Sequence, residues 1–157
     1  MCAGWTRRGV CLGLGLVLAG ATRARATDLP RMVVTKDPSC GCCRGWTEHV
    51  RAAGFPIEIV ESASVGRLKA RLGVPQDLAG CHTAEVGGYV VEGHVPAAAI
   101  RRLLEERPAA TGLAVPGMPV GSPGMEVEGS PPEIYEVVLF GPSGRQLFAR
   151  YRAAEEL

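Results

Sequence analysis

The sequence predicts an α/β fold: a mixed sheet with flanking helices, followed by a Met/Pro/Gly-rich loop and a C-terminal β-hairpin. Three observations support this. Short β-branched runs alternate with segments whose apolar residues recur every three or four positions, the mark of strands interleaved with helices. Glycine and proline are abundant, 21 and 12 of 157 residues, and punctuate those segments. Hydrophobic residues make up 46% of the chain, enough for one mostly aliphatic core at a length that suits one domain. The formal net charge is +1, and no Lys/Arg run marks a nucleic-acid surface, so no nucleic-acid partner is expected.

The elements follow in order. Met32 to Lys36 reads as a buried strand and Asp37-Pro38-Ser39 as a turn. A helix follows, with Cys43, Trp46, Val50 and Ala53 on one face and Gly54 ending it. Ile57 to Glu61 is a second strand, and Ser64 is placed to cap a short helix carrying Val65, Leu68 and Leu72. Residues 74–83 read as a loop holding Cys81 and His82. Ala84 to Val86 and Tyr89 to Glu92 read as a hairpin across Gly87-Gly88. Pro96 opens a helix with Ala97, Ile100, Leu103 and Leu104 inward, and Pro108 stops it. Residues 112–133 are too rich in Gly and Pro for a regular element. Ile134 to Phe140 and Gln146 to Tyr151 form the last hairpin. The order β-α-β-α-β-β-α is that of a thioredoxin-like fold. In such a fold the segment between the first strand and first helix is the reactive position, and the loop before the third strand approaches it.

The first 26 residues read as an export signal. Arg7 and Arg8 precede an apolar run from Val10 to Ala21, and Ala24-Arg25-Ala26 gives a small-residue cleavage site. Thr6 to Leu12 has a twin-arginine look. The run is too short and Gly-rich to serve well as a retained anchor, and Ala at position 21 rejects a lipoprotein signal. Cleavage after Ala26 removes four arginines, no acids, Cys2 and Cys11. It leaves a single domain, residues 27–157, with 13 basic and 16 acidic residues and no stable membrane anchor. The four cysteines of the mature chain are then expected in an oxidising compartment.

Four cysteines remain: Cys40, Cys42, Cys43 and Cys81. Three stand at a helix start, where free backbone N–H groups and the helix dipole favour thiolates. Gly41 is expected to let the backbone turn so that Cys40 and Cys42 face one point. Three chemistries suit them. The first is a disulfide framework, although bridges within so tight a spacing cross-link little. The second is thiol–disulfide exchange, for which Cys40 and Cys43 have the C-x-x-C spacing; Cys42 and Cys81 are then surplus. The third is a metal site using all four. Adjacent Cys42 and Cys43 suit one tetrahedral zinc poorly, whereas several Cu(I) ions bridged by soft thiolates suit them well. Met118 and Met125, in the irregular loop, add candidate thioether ligands, and His82 and His94 candidate imidazoles. Met32 and Trp46 read as core, and His49 as solvated or partly packed.

These residues carry a resemblance. Lys36 to Trp46 (KDPSCGCCRGW), Cys81 to Ala84, Gly88 to Pro96 and Gly112 to Glu126 resemble the CopG-type periplasmic copper-resistance family, over nearly all of Met32 to Tyr151. The resemblance implies a thioredoxin-like fold and a cysteine-bridged multinuclear copper site. It makes Cys40, Cys42, Cys43 and Cys81 the cluster thiolates, with Met118, Met125, His82 and His94 as further candidates. It also implies a role in copper resistance, with copper ions and a periplasmic copper-handling or electron-transfer protein as partners. A copper-dependent oxidoreductase activity is one form of that role, and a thiol–disulfide oxidoreductase using Cys40 and Cys43 is the alternative.

Overall fold

The computed structural model describes Met1 and residues 29–157. The expected export signal and its cleavage site lie outside the described residues, Met1 apart. Among the described residues, eight strands form one sheet and three α-helices pack on it. The strands are β1 (Met32–Lys36), β2 (Ile57–Glu61), β3 (His82–Val86), β4 (Tyr89–Glu92), β5 (Gly112–Ala114), β6 (Ile134–Gly141), β7 (Gly144–Arg152) and β8 (Glu155–Glu156). The helices are α1 (Cys42–Ala52), α2 (Val65–Arg71) and α3 (Ala97–Glu106). The sheet order is β2-β1-β3-β4-β5-β6-β7-β8. β1 runs parallel to β2 and antiparallel to β3, and β4 runs parallel to β5.

Side chains alternate between the two faces of a strand, and this sorts the core into two layers. Met32, Val34, Ala84, Val91, Leu113 and Val137 meet Trp46 and Val50 of α1 and Ile100 and Leu103 of α3. On the opposite face Val90, Ala114 and Phe140 meet Val74 and Leu78, with Leu72 at the end of α2 packed beside them. Trp46 and Met32 are fully buried, as expected of core.

Several elements depart from the sequence reading. Residues 112–114 form a strand because β4 and β6 flank them on both sides; ladder pairing overrides the weak local propensity. Gly112 suits the place, since a Cβ there would lie 1.7 Å from the Val90 carbonyl oxygen. β3 begins at His82, which pairs with Lys36 of β1, so the loop is shorter than 74–83 and contains a 3₁₀ turn at Gln76–Leu78. Ser64 sits at the start of α2 without a side-chain capping bond; its hydroxyl accepts from Arg67 instead. The last hairpin is longer than expected, with Gly141 opposite Gly144. Gly87 and Gly88 both adopt positive φ, 56° and 90°, which the tight turn between β3 and β4 requires.

Candidate metal centre

The site lies where β1 ends, α1 and β3 begin, and the β4–α3 connection passes. Asp37 shapes the approach. Its Oδ1 accepts from the Ser39 backbone N–H at 2.9 Å and its carbonyl from the Cys40 N–H at 3.0 Å. That is an Asx turn, and it delivers Cys40 to the helix start. The Ser39 bonds hold the Asp37 carboxyl below its usual range. Gly41 is right-handed helical, φ −74° and ψ −44°, and a Cβ on it would meet open space. The expectation that Gly41 supplies a special turn is therefore corrected: the cysteines face one another because consecutive helical positions and the preceding turn put them there.

Cys40 Sγ lies 3.6 Å from Cys42 Sγ, and Cys81 Sγ lies 3.6 Å from both Cys42 Sγ and Cys43 Sγ. All four sulfurs fall within 4.8 Å of one another. Cys40 and Cys43 are joined as a disulfide, S–S 2.07 Å, and Cys42 and Cys81 are free thiols. Of the framework of two bridges, one is present. Burial, reinforced by the neighbouring Cys42 thiol, pushes the Cys81 thiol up to about 12, so unaided it stays protonated near neutral pH. Cys40 opens onto a cleft of about 520 Å³ lined also by Lys36, Pro38, Arg44 and Glu61.

Both candidate histidines reach Cys81. His94 Nε2 lies 3.2 Å from Cys81 Sγ, and its Nδ1 lies 2.8 Å from the Pro123 carbonyl oxygen. A carbonyl only accepts, so the proton sits on Nδ1 and Nε2 presents a lone pair to the sulfur. His82 Nδ1 lies 3.3 Å from the same sulfur. Its Nε2 is buried without a hydrogen-bond partner, and burial, with His94 and Lys69 nearby, lowers its pKa to about 3. Cys81, His82 and His94 thus form a second group of donors sharing Cys81 with the cysteines. Trp46 lies against His82, ring centroids 4.2 Å apart, and its indole N–H donates to the Val95 carbonyl at 2.9 Å.

The irregular loop folds over this end. Gly124 approaches α1 so closely that a Cβ would come within 2.4 Å of the Trp46 nitrogen and 3.0 Å of the Cys42 oxygen. Met125 is the next residue and is half-buried, whereas Met118 is 54% exposed. The contacts to the site come from Pro123 and Gly124 between them.

Two features were not legible in the sequence. His49 Nε2 accepts from the Ala97 N–H at 3.1 Å, satisfying one free amide at the start of α3. Pro96, which precedes Ala97, has no side-chain oxygen to do this, which was the available signal. Glu92, fully buried, pairs with Lys69 of α2 and accepts from the Gly80 N–H at 2.6 Å and the Thr83 hydroxyl at 2.8 Å. Its lysine partner is 23 residues distant in sequence, and nothing local announces the pairing.

The donor set suits a soft metal. Thiolate sulfur and neutral imidazole suit soft and borderline metals, copper and zinc among them, over hard cations, and His82 Nε2 is buried without a hydrogen-bond partner. Residues 78–125 match a family described as a protein of unknown function, DUF411. Two solved structures titled copper resistance protein CopG resemble the chain. Form 2 has 44% identity and a TM-score of 0.74, covering 78% of this chain and 98% of its own. Form 1 has 44% identity and a TM-score of 0.73, covering 79% and 98%. No curated protein sequence matches. Among the described residues no helix is long and apolar enough to cross a membrane. At that identity and coverage, the chain belongs to the CopG copper resistance family.

Proposed function

We propose that the protein binds copper as Cu(I) in a multinuclear site built on Cys40, Cys42, Cys43 and Cys81, and acts in copper resistance in the periplasm after loss of its export signal. The observation that carries this reading is the convergence of four sulfurs from two chain segments within 4.8 Å, in a relative of proteins titled copper resistance protein. The strand order β2-β1-β3-β4, with α1 following β1, supports a thioredoxin-like core extended by β5 to β8 in a single domain, residues 27–157.

Loading requires the Cys40–Cys43 disulfide to be opened by a dithiol reductant, which supplies two electrons and two protons. Each thiol then gives up its proton as it binds metal. At Cys81 the metal must displace a tightly held proton, since burial pushes that thiol up to about 12 in the metal-free protein. His94 Nε2 and His82 stand beside Cys81 as imidazole donors. Met125, and the more exposed Met118, are thioether candidates on a loop that shields the site. The cleft beside Cys40 gives copper, or a periplasmic copper-handling or electron-transfer protein, access to the sulfurs. Copper supplies one-electron chemistry when bound, so a copper oxidoreductase role is compatible with the site.

Cys42→Ser tests the reading, since Cys42 touches both Cys40 and Cys81 and is surplus to C-x-x-C exchange. The variant should lose most bound copper while reduction of a model disulfide is unchanged. Full copper stoichiometry in Cys42→Ser would overturn the proposal. The Cys40–Cys43 disulfide specifically favours a second reading, a thiol–disulfide oxidoreductase. In that case Cys40→Ser abolishes model-disulfide reduction, Cys42→Ser leaves it unchanged, and any metal binds only adventitiously to the reduced thiols.

A further inference from the structure

Cys81 is the sulfur that joins the two halves of the site, yet it lies in a short connection before β3 rather than on a rigid element. What holds it is a buried polar cluster. Glu92, at the end of β4, is fully buried. Its Oε1 accepts from the backbone N–H of Gly80, the residue before Cys81, at 2.6 Å, and pairs with Lys69 Nζ. Its Oε2 accepts from the Thr83 hydroxyl at 2.8 Å, so one carboxylate grips both sides of the Cys81-His82 pair. Lys69 Nζ also donates to Thr83 Oγ1 at 2.8 Å, which ties α2 to the same point. The backbone is pressed close here: a Cβ on Gly80 would lie 2.8 Å from Gly93 Cα. Burying such a pair is expensive, and an apolar pair of similar volume often serves stability as well or better. Stability alone therefore gives a weak account of the ion pair, whereas its position against residues 80 and 83 gives a specific one.

We infer that Glu92 is a positioning residue, which with Lys69 clamps the Gly80 amide and the Thr83 hydroxyl so that Cys81 Sγ is held in reach of the Cys42 and Cys43 sulfurs. Residues of this kind, which orient a ligand without touching the metal, commonly govern affinity by 10–100-fold. The inference deepens the copper reading for the metal, but its geometric content concerns sulfurs alone and can be tested without metal.

The test is the double variant Lys69→Met with Glu92→Leu, which replaces the ion pair by apolar bulk without leaving a lone charge. In metal-free protein with the Cys40–Cys43 disulfide intact, diamide oxidises Cys42 and Cys81 to a new disulfide and is itself reduced to the hydrazine. Peptide mapping reads the 42–81 linkage. The double variant should melt near the wild-type temperature yet form that linkage about tenfold more slowly, because proximity is lost. It should also bind Cu(I) about 10–100-fold more weakly. Glu92→Gln keeps an acceptor oxygen for the Gly80 amide and should recover most of the cross-linking rate. If the double variant does not fold, Glu92→Ala replaces it, because Lys69, 12% exposed, can turn to water. A stable apolar variant that cross-links at the wild-type rate overturns the inference, as does a Gln variant no faster than the apolar one. Wild-type protein that takes up no copper overturns the copper reading, and the diamide rates still decide the role of Glu92.

Discussion

The two halves of the sulfur cluster are built in opposite ways. Cys40, Cys42 and Cys43 are brought together by four consecutive residues, an Asx turn and the first turn of a helix. Cys81 arrives from a different segment and is held by long-range contacts: Glu92 through Gly80, Lys69 through Thr83, His94 through Pro123, and His82 against Trp46. The helix half opens to a cleft at Cys40, whereas the Cys81 half is flanked by fully buried His82, Glu92 and His94. A locally encoded half tolerates changes elsewhere in the chain; the other half depends on every element packed around it. Stability and metal binding should therefore respond differently when each half is disturbed.

The largest effect is expected from breaking the buried pair on one side only. Glu92 is fully buried with an ammonium partner, so Lys69→Met strands the carboxylate and should destabilise the protein by about 3–5 kcal/mol. Denaturant unfolding checks this, and a loss below about 1 kcal/mol would contradict a buried, paired carboxylate.

Next is the contact that presses the irregular loop onto the helix half. Gly124 has φ +83° and no room for a Cβ against the Trp46 and Gly45 backbone. Gly124→Ala should cost about 2–4 kcal/mol, combining left-handed strain with overpacking. It should also loosen Pro123 from His94. Gly41→Ala, in open space on the same helix start, should leave stability unchanged or slightly raised, by up to about 1 kcal/mol. Thermal unfolding of the two variants side by side sharpens the contrast.

A smaller effect is expected at His49, which joins α1 to α3. Its removal by His49→Ala should cost about 1 kcal/mol, the usual scale for a lost helix cap. Burial lowers the His49 pKa in the folded state, with Glu126 partly opposing. The unfolded chain therefore takes up the proton first. The contribution of His49 is fully present above about pH 6.5 and is lost as pH falls from there through the lower folded value. Buried His82, lowered to about 3, acts in the same direction. Wild-type stability should fall from pH 7 to pH 5, and less steeply in His49→Ala; equal slopes would remove His49 from the account.

The smallest effect is at the surface. Arg31 and Glu58 pair with side chains 67% and 42% exposed, so Glu58→Gln should change stability by less than about 1 kcal/mol. A larger loss in chemical denaturation would mean that the outer edge of β2 matters more than its exposure implies.

The same division explains what could be read from the sequence. The C-x-C-C run, the helix after it and the Gly87-Gly88 hairpin are local signals, and the structure has all of them. Cys81, His82 and His94 could be named as candidates because of residue type and the family resemblance, and all three meet at one sulfur. The strand at Gly112–Ala114 was illegible because its neighbours, not its residues, make it a strand. Glu92 closes a strand whose local pattern gives no hint that its partners are Lys69 and Gly80. The role of Gly41 was misjudged because glycine's freedom suggests a special turn, while the backbone there is ordinary helix.

The central claim is that four reduced cysteines hold copper together. The most direct measurement is anaerobic purification of the protein from copper-fed cells, with copper and reactive thiols counted on one sample before and after removal of metal by a Cu(I) chelator. The account predicts bound copper, with Cys40, Cys42, Cys43 and Cys81 unreactive while loaded and all four reactive once the metal is stripped. Metal-free protein that keeps the Cys40–Cys43 disulfide and only two reactive thiols at Cys42 and Cys81 would contradict it.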